Sequence, residues 1–153
     1  MNVNNEIESV KKQYIVVSIG SEQYGIDISY VDNIVRMQQI TRVPKAQHYF
    51  KGIINLRGEV VPVMSIRTRM ELEDDEFTPL TRIIILKMNA QSLLGILVDE
   101  VKEVIYLSED EIDRNAQDMK DLKSQFINGI GKDNDRLISL LEINNIIEEN
   151  EVV

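Results

Sequence analysis

His48, with Tyr49 and Phe50 beside it, is the one imidazole in a chain that has no cysteine. A zinc or iron site usually takes two or more imidazole or thiolate ligands, so His48 reads as a surface or packing residue and no metal is expected. The acidic run Glu71 to Glu76 carries carboxylates that could attract calcium. It lacks the Asp-x-Asp-x-Asp-Gly spacing that wraps ligands around that ion. Ser18, Ser21 and Ser29 have no histidine base at a motif spacing, which nucleophilic catalysis by serine needs. The seven glycines form no phosphate-cradling loop. Carboxylate pairs such as Asp99-Glu100 could exchange protons, but nothing singles them out. The expectation is a protein without catalytic residues or cofactors.

Arg57 is different. It stands one residue before Gly58, between segments that are otherwise nearly uncharged. Two readings are open: a solvated arginine at a strand end, or an interface arginine whose planar fork meets a carboxylate or backbone carbonyls. Val31 and Ile34 are spaced three apart, and so are Val101 and Val104. Packing in a core would account for them, and so would a groove that accepts the apolar face of a helix.

Charge narrows the partners. The chain has 153 residues, 26 acidic against 17 basic, for a net charge of −9. Nucleic-acid binding draws on a basic footprint, and five Tyr, three Phe and no Trp provide few stacking platforms. The first twelve residues are polar, with no apolar signal core. No apolar run approaches the roughly 18 residues of a membrane span. The sequence therefore reads as soluble and cytoplasmic.

The elements that must position Arg57 are short strands. Tyr14 to Ile19 is a β-branched run closed by Gly20-Ser21-Glu22, and Tyr24 to Ile28 follows. Ile34 to Met37 and Ile40 to Val43 come next, then a hairpin of Gly52–Arg57 and Val60–Ile66 turning at Gly58-Glu59. Pro62 predicts an edge or a bend in the last strand. Arg82 to Met88 and Leu93 to Val98 continue the series.

The chain also repeats itself. Gly25 to Val35 overlays Gly95 to Ile105 without gaps, an offset of 70 positions (25 to 95). Gly52 to Ile66 overlays Gly129 to Ile143 at an offset of 77 (52 to 129), with apolar matches at Ile53/Ile130, Val61/Ile138 and Val63/Leu140. The extra chain falls within Leu107 to Phe126. A fixed order of matching blocks indicates duplication. Each copy has about five strands, enough for a small closed antiparallel barrel. Units of this size bury little surface alone, so the two should pack across an apolar seam. The acidic stretch 71–76 reads as a solvated connector. Helix is expected only at Ser108-Glu109-Asp110-Glu111, a capping-box pattern, around Met119, Leu122 and Phe126, and at Ile143, Ile146 and Ile147. The ends, about 1–11 and 148–153, should fray.

Three motifs resemble the CheW family, the adaptors that join chemoreceptors to the chemotaxis histidine kinase CheA. They are Tyr24-Gly25-Ile26-Asp27-Ile28, Lys51 to Gly58 with Val61-Pro62-Val63, and Gly95 to Val101. The resemblance spans about residues 12 to 147 and implies an all-β fold of two SH3-like five-stranded barrels. It implies one CheW-like domain over 12–150, with subdomains near 12–70 and 78–147 and possible strand exchange between them. It also implies a non-enzymatic adaptor, monomeric alone, cytoplasmic, and recruited to membrane-associated receptor arrays. The receptor's helical tip would meet Val31, Asn33, Ile34, Gly52, Arg57, Val101 and Val104. The CheA regulatory domain, a paralogue of the double barrel, would meet Ile40, Thr41 and Arg42. A free-standing relative of that regulatory domain is the alternative. Two positions depart from the family pattern: Asn33 where Glu is usual, leaving the partner of Arg57 open, and Ser65 where Asp is common.

Overall fold

The apolar runs at Tyr14 to Val17 and Ile83 to Leu86 are buried along their whole length, as happens when both faces of a strand meet a core. In the computed structural model, which describes residues 10–89, 91–115 and 125–146, these runs are β1 (Lys12–Ile19) and β6 (Arg82–Lys87). The remaining strands are β2 (Glu22–Asp27), β3 (Val31–Arg36), β4 (Phe50–Leu56), β5 (Glu59–Ser65), β7 (Leu93–Val98), β8 (Glu100–Leu107), β9 (Ile112–Asp113), β10 (Ile127–Asp133) and β11 (Arg136–Leu141). Single helical turns, α1 (Ile66–Arg69) and α2 (Ile143–Ile146), follow β5 and β11.

Two sheets result. The first has the order β8-β1-β2-β11-β10-β9 and the second β3-β6-β7-β5-β4. Each is the size of an SH3-like barrel, antiparallel except for one parallel pair, and two-residue β9 makes the first sheet six-stranded. Neither sheet matches a sequence copy. The first sheet takes β1 and β2 from the first copy and β8 to β11 from the second, while the second sheet takes β6 and β7 from the second copy and β3, β4 and β5 from the first, so segments 12–70 and 78–147 are interleaved.

The pairings of the two sheets correspond position by position. Val63 lies opposite Gly95 where β5 runs parallel to β7, and Leu140 lies opposite Gly25 where β11 runs parallel to β2. A bulge between Val31 and Asn33 on β3 recurs between Val101 and Glu103, the aligned positions of β8. Strands approach closely at the two glycines: a Cβ on Gly25 would stand 2.8 Å from Leu140, and one on Gly95 would stand 2.8 Å from Ile83.

Alternation then sorts the side chains. Tyr14 and Val16 point into a small core within the first sheet, beside Leu107, Ile138 and Leu140. Ile83 and Ile85 do the same in the second, beside Ile54, Val61 and Val63. Ile15, Val17, Ile84 and Leu86 face the seam between the sheets, where Tyr24, Ile96, Met64 and Ile143 join them. At this seam Arg69 lies between Tyr49 and its repeat counterpart Phe126, 4.6 and 5.1 Å from their ring centres. It also donates to the carbonyl of Ile146, its own counterpart, at 2.7 Å.

Several expectations change. Pro62 is on β5, an inner strand; its missing N–H is tolerated because pairing with β7 starts only at Val63. Ile40 to Val43 forms no strand, only a bridge from Thr41 to Ile53. The connector is not simply solvated: Leu72 packs on the shared core, and Asp75 accepts a 2.5 Å hydrogen bond from the buried Ser65 hydroxyl. Ser65 thus finds on the connector the carboxylate that its own position lacks. The capping box at Ser108 to Glu111 shapes one 3-10 turn, with the Ser108 N–H donating to Glu111 at 2.9 Å. Met119, Leu122 and Ile147 lie outside the described residues.

A clasp joins the sheets at one end. Arg67 grips Asp99 through Nε at 3.1 Å and Nη2 at 2.5 Å, and Asp99 also accepts from the Gly20 N–H at 2.8 Å. Burial pushes the Asp99 carboxyl up, but the hydrogen bonds from Arg67 and Gly20 outweigh it and hold the group below its ordinary value. A depressed carboxylate stabilises the fold above its unfolded pKa, near 3.9, and loses that contribution as the pH falls through its folded value. Asp99→Asn should therefore lower stability by about 1–2 kcal/mol at neutral pH. The deficit against the parent should shrink below about pH 4 when denaturant midpoints are compared across pH. The interleaving predicts further that fragments 10–75 and 76–147 are each unfolded alone by circular dichroism and regain β structure when mixed; an independently folded fragment would contradict the topology.

Candidate functional site

Leu56 pairs with Glu59, so the β4–β5 connection is a two-residue turn of Arg57 and Gly58. Both have positive φ, 54° and 83°, the geometry of a type I′ turn. The Asn55 side chain accepts from the Gly58 N–H at 2.9 Å and braces it. The β10–β11 turn is its counterpart, between Asp133 and Arg136, with Asn134 at φ 56° in the place of Arg57. Asparagine enters the left-handed region readily. Arginine does not, and the conformation costs about 1–2 kcal/mol for a side chain with an ordinary Cβ.

The strained arginine has no hydrogen bond or ion pair among the described residues. It borders a cleft of about 750 Å³ that Asp32, Glu59, Val60, Pro62 and Lys87 also line. Asp32 shares the cleft without pairing to Arg57. Asn33 turns onto its own backbone, its Oδ1 accepting from the Ile34 N–H at 2.8 Å, which satisfies a donor at the β3 bulge. Val60 is 59% exposed on the rim.

The repeat places a second cleft, of about 730 Å³, at the corresponding position of the first sheet, with Ser21, Glu22, Gln23, Arg136 and Leu137 among its lining. Leu137, the counterpart of Val60, is 65% exposed. Its arginine is engaged: Arg136 reaches Glu103 at 2.8 Å and Asp133 at 2.5 Å. The two clefts share a frame and differ in charge state, with a free guanidinium on one side and a neutralised one on the other.

The remaining candidate residues divide. Val31 and Val101 are half-buried against the shared core, while Ile34 and Val104 are exposed at 36% and 45%. Each three-apart pair thus has one packing member and one surface member. Val31, Asn33, Ile34 and Arg57 belong to the second sheet; Val101 and Val104 lie on β8 of the first. Gly52 is buried, with φ +143° and its missing Cβ directed at the Thr41 carbonyl, so the position demands glycine for backbone reasons. Ile40 packs partly on the core of the second sheet, and Thr41 and Arg42 are exposed. Sequence reasoning missed Val60, Leu137 and Lys87. The repeat alignment contained the signal for the first two, an apolar pair just after aligned turns. Among the described residues, no three His, Cys, Asp or Glu side chains are grouped to hold a metal ion, and no helix is long and apolar enough to cross a membrane.

Comparison with known proteins fits this architecture. Residues 13–151 match the family model of the CheW-like domain. The chain is 34% identical over 144 residues to the chemotaxis protein CheW of Bacillus subtilis, covering 94% of this chain and 91% of that one. It is 34% identical over 137 residues to the CheW of Helicobacter pylori, covering 90% and 82%. The crystal structure of the scaffolding protein TtCheW from Thermoanaerobacter tengcongensis superposes with a TM-score of 0.83 at 31% identity, over 94% of this chain and 97% of that one. An interleaved double sheet, a matching domain model across nearly the whole chain and relatives above 30% identity lead to one statement: the chain belongs to the CheW family.

Proposed function

We propose that this protein is a chemotaxis scaffold without catalytic activity, an adaptor that couples the cytoplasmic helical tip of chemoreceptors to the regulatory domain of the kinase CheA. Family membership supports the scaffold role. The observation that carries the receptor side is Arg57, held exposed in a left-handed turn with no partner among the described residues. Strain of this kind persists where the surrounding fold over-determines it, and it clusters at functional sites. The aligned turn keeps the same φ with asparagine, so the turn itself does not require arginine. Val60 on the rim of the same cleft, and Ile34 exposed on β3 of the same sheet, supply apolar surface for the face of a receptor helix. Thr41 and Arg42, exposed in the segment between β3 and β4, form part of the kinase-facing edge. The exposed Leu137 cleft offers a related surface, suited to a partner built on the same double barrel. Recruitment to receptor arrays then follows from binding, with no membrane segment required.

Arg57→Asn separates strain from binding. It should keep or raise the thermal midpoint, since asparagine relieves the left-handed conformation, yet weaken a receptor cytoplasmic fragment by about tenfold or more, about 1.4 kcal/mol. Unchanged affinity would remove Arg57 from the receptor surface. Ile34→Glu should weaken the receptor fragment while leaving the affinity for the CheA regulatory domain within about twofold. Equal losses for both partners in titration calorimetry would mean general destabilisation instead.

A further inference from the structure

The connector between the two copies has the features of a hinge held shut. α1 ends in a Schellman turn, with the Glu71 N–H on the Thr68 carbonyl at 3.1 Å and the Leu72 N–H on the Arg67 carbonyl at 2.7 Å. That turn needs a left-handed residue, normally glycine, and here it is Glu71 at φ 59°. Beyond it the chain is latched. Asp75 is bound by the Ser65 hydroxyl at 2.5 Å. Lys51 lies 3.6 Å from Asp74 and 3.9 Å from Asp75, and Arg67 donates to the Glu73 carbonyl at 3.2 Å. Ser65 also caps α1 through the Thr68 N–H at 3.1 Å, so one hydroxyl ties the helix start to the far side of the connector.

From these contacts and the interleaved sheets we infer that two copies of this chain can exchange their C-terminal halves, and that the Ser65–Asp75–Lys51 latch keeps the exchange within one chain. Every pairing that completes a sheet, β1 with β8, β3 with β6, β5 with β7 and β2 with β11, joins a strand before the connector to one after it. An exchanged dimer remakes all of them with residues 82–146 of a second copy. Only the hinge changes, which makes such exchange a low-cost route to dimers, and strained hinge loops favour it. Straightening residues 71–76 relieves Glu71 and breaks the latch, so these two contributions oppose each other. The dimer carries two Arg57 turns and two of every other surface, making it bivalent where the monomer is not.

The test uses the full chain, refolded at high and low concentration and sized by light scattering. Asp75→Ala, which opens the latch, and Glu71→Pro, which cannot adopt the left-handed turn, should each raise the dimer fraction severalfold over the parent. Glu71→Gly, at ease in that turn, should lower it when added to Asp75→Ala. Exchange is identified by Gln13→Cys with Tyr106→Cys, placed where the two side chains touch at 2.8 Å across β1 and β8 in a chain with no other cysteine. Oxidised dimers should run as covalent dimers on a denaturing gel, because residue 13 of one copy then faces residue 106 of the other. Latch variants that stay monomeric, or dimers whose disulfides close within each chain, would overturn the proposal.

Discussion

Everything in this fold depends on one constraint: neither copy of the repeat can complete a sheet by itself. The early strands of each copy, β1-β2 or β6-β7, lie between β8 or β3 on one side and a hairpin on the other, and both neighbours come from the opposite copy. Closure on the hairpin side is a short parallel pairing that places Val63 on Gly95 and Leu140 on Gly25. A Cβ at Gly25 would collide with Leu140 on the partner strand, and one at Gly95 would collide with Ile83 on the neighbouring β6. Antiparallel hairpins are local, but these cross-copy pairings join segments distant in sequence. The chain must therefore bring its whole length together before either core is sealed.

The same constraint explains the seam. Strands β1 and β6 are inner strands, and they present one face to their own barrel and the other to the shared core. At the seam, equivalent residues of the two copies meet: Tyr49 and Phe126 flank Arg69, which binds the Ile146 carbonyl. The Ser65 N–H binds the Tyr49 carbonyl, and the aligned Glu142 N–H binds the Phe126 carbonyl. Symmetry is thus kept in the backbone and apolar frame and relaxed in the polar side chains. Arg57 replaces the residue type that its turn prefers, and Arg136 is neutralised where Arg57 is free.

Much of this was legible in the sequence. Gap-free matches at fixed offsets revealed the two copies, and β-branched runs between turn residues located β1, β2, β6 and β7. The hairpin was visible from Gly58, but its turn was placed at Gly58-Glu59, one residue later than the Arg57-Gly58 turn that the pairing of Leu56 with Glu59 creates. What could not be read was which copy each strand pairs with, because alternation sets the face of a strand and not its neighbour. β8 escaped notice since Lys102, Glu103 and Tyr106 interrupt its pattern on the exposed face. Pro62 pointed to an edge because a missing N–H matters only where a neighbour needs it, and that neighbour begins one residue later. The conformation of Arg57 was hidden as well: its φ follows from the two-residue turn, and its strain appears only against Asn134.

On the proposed function, a pseudo-symmetric frame carries one asymmetric partner surface around Arg57. NMR shift mapping tests it most directly: the labelled chain is titrated first with a receptor cytoplasmic fragment and then with the CheA regulatory domain. The receptor fragment is expected to shift the amides of Ile34, Arg57, Gly58 and Val60 and leave the aligned turn at Asn134 unmoved, while the kinase domain is expected to shift a separate set that includes Thr41 and Arg42. Equal perturbation at Arg57 and Asn134, or receptor shifts that avoid the Arg57 turn, would contradict it.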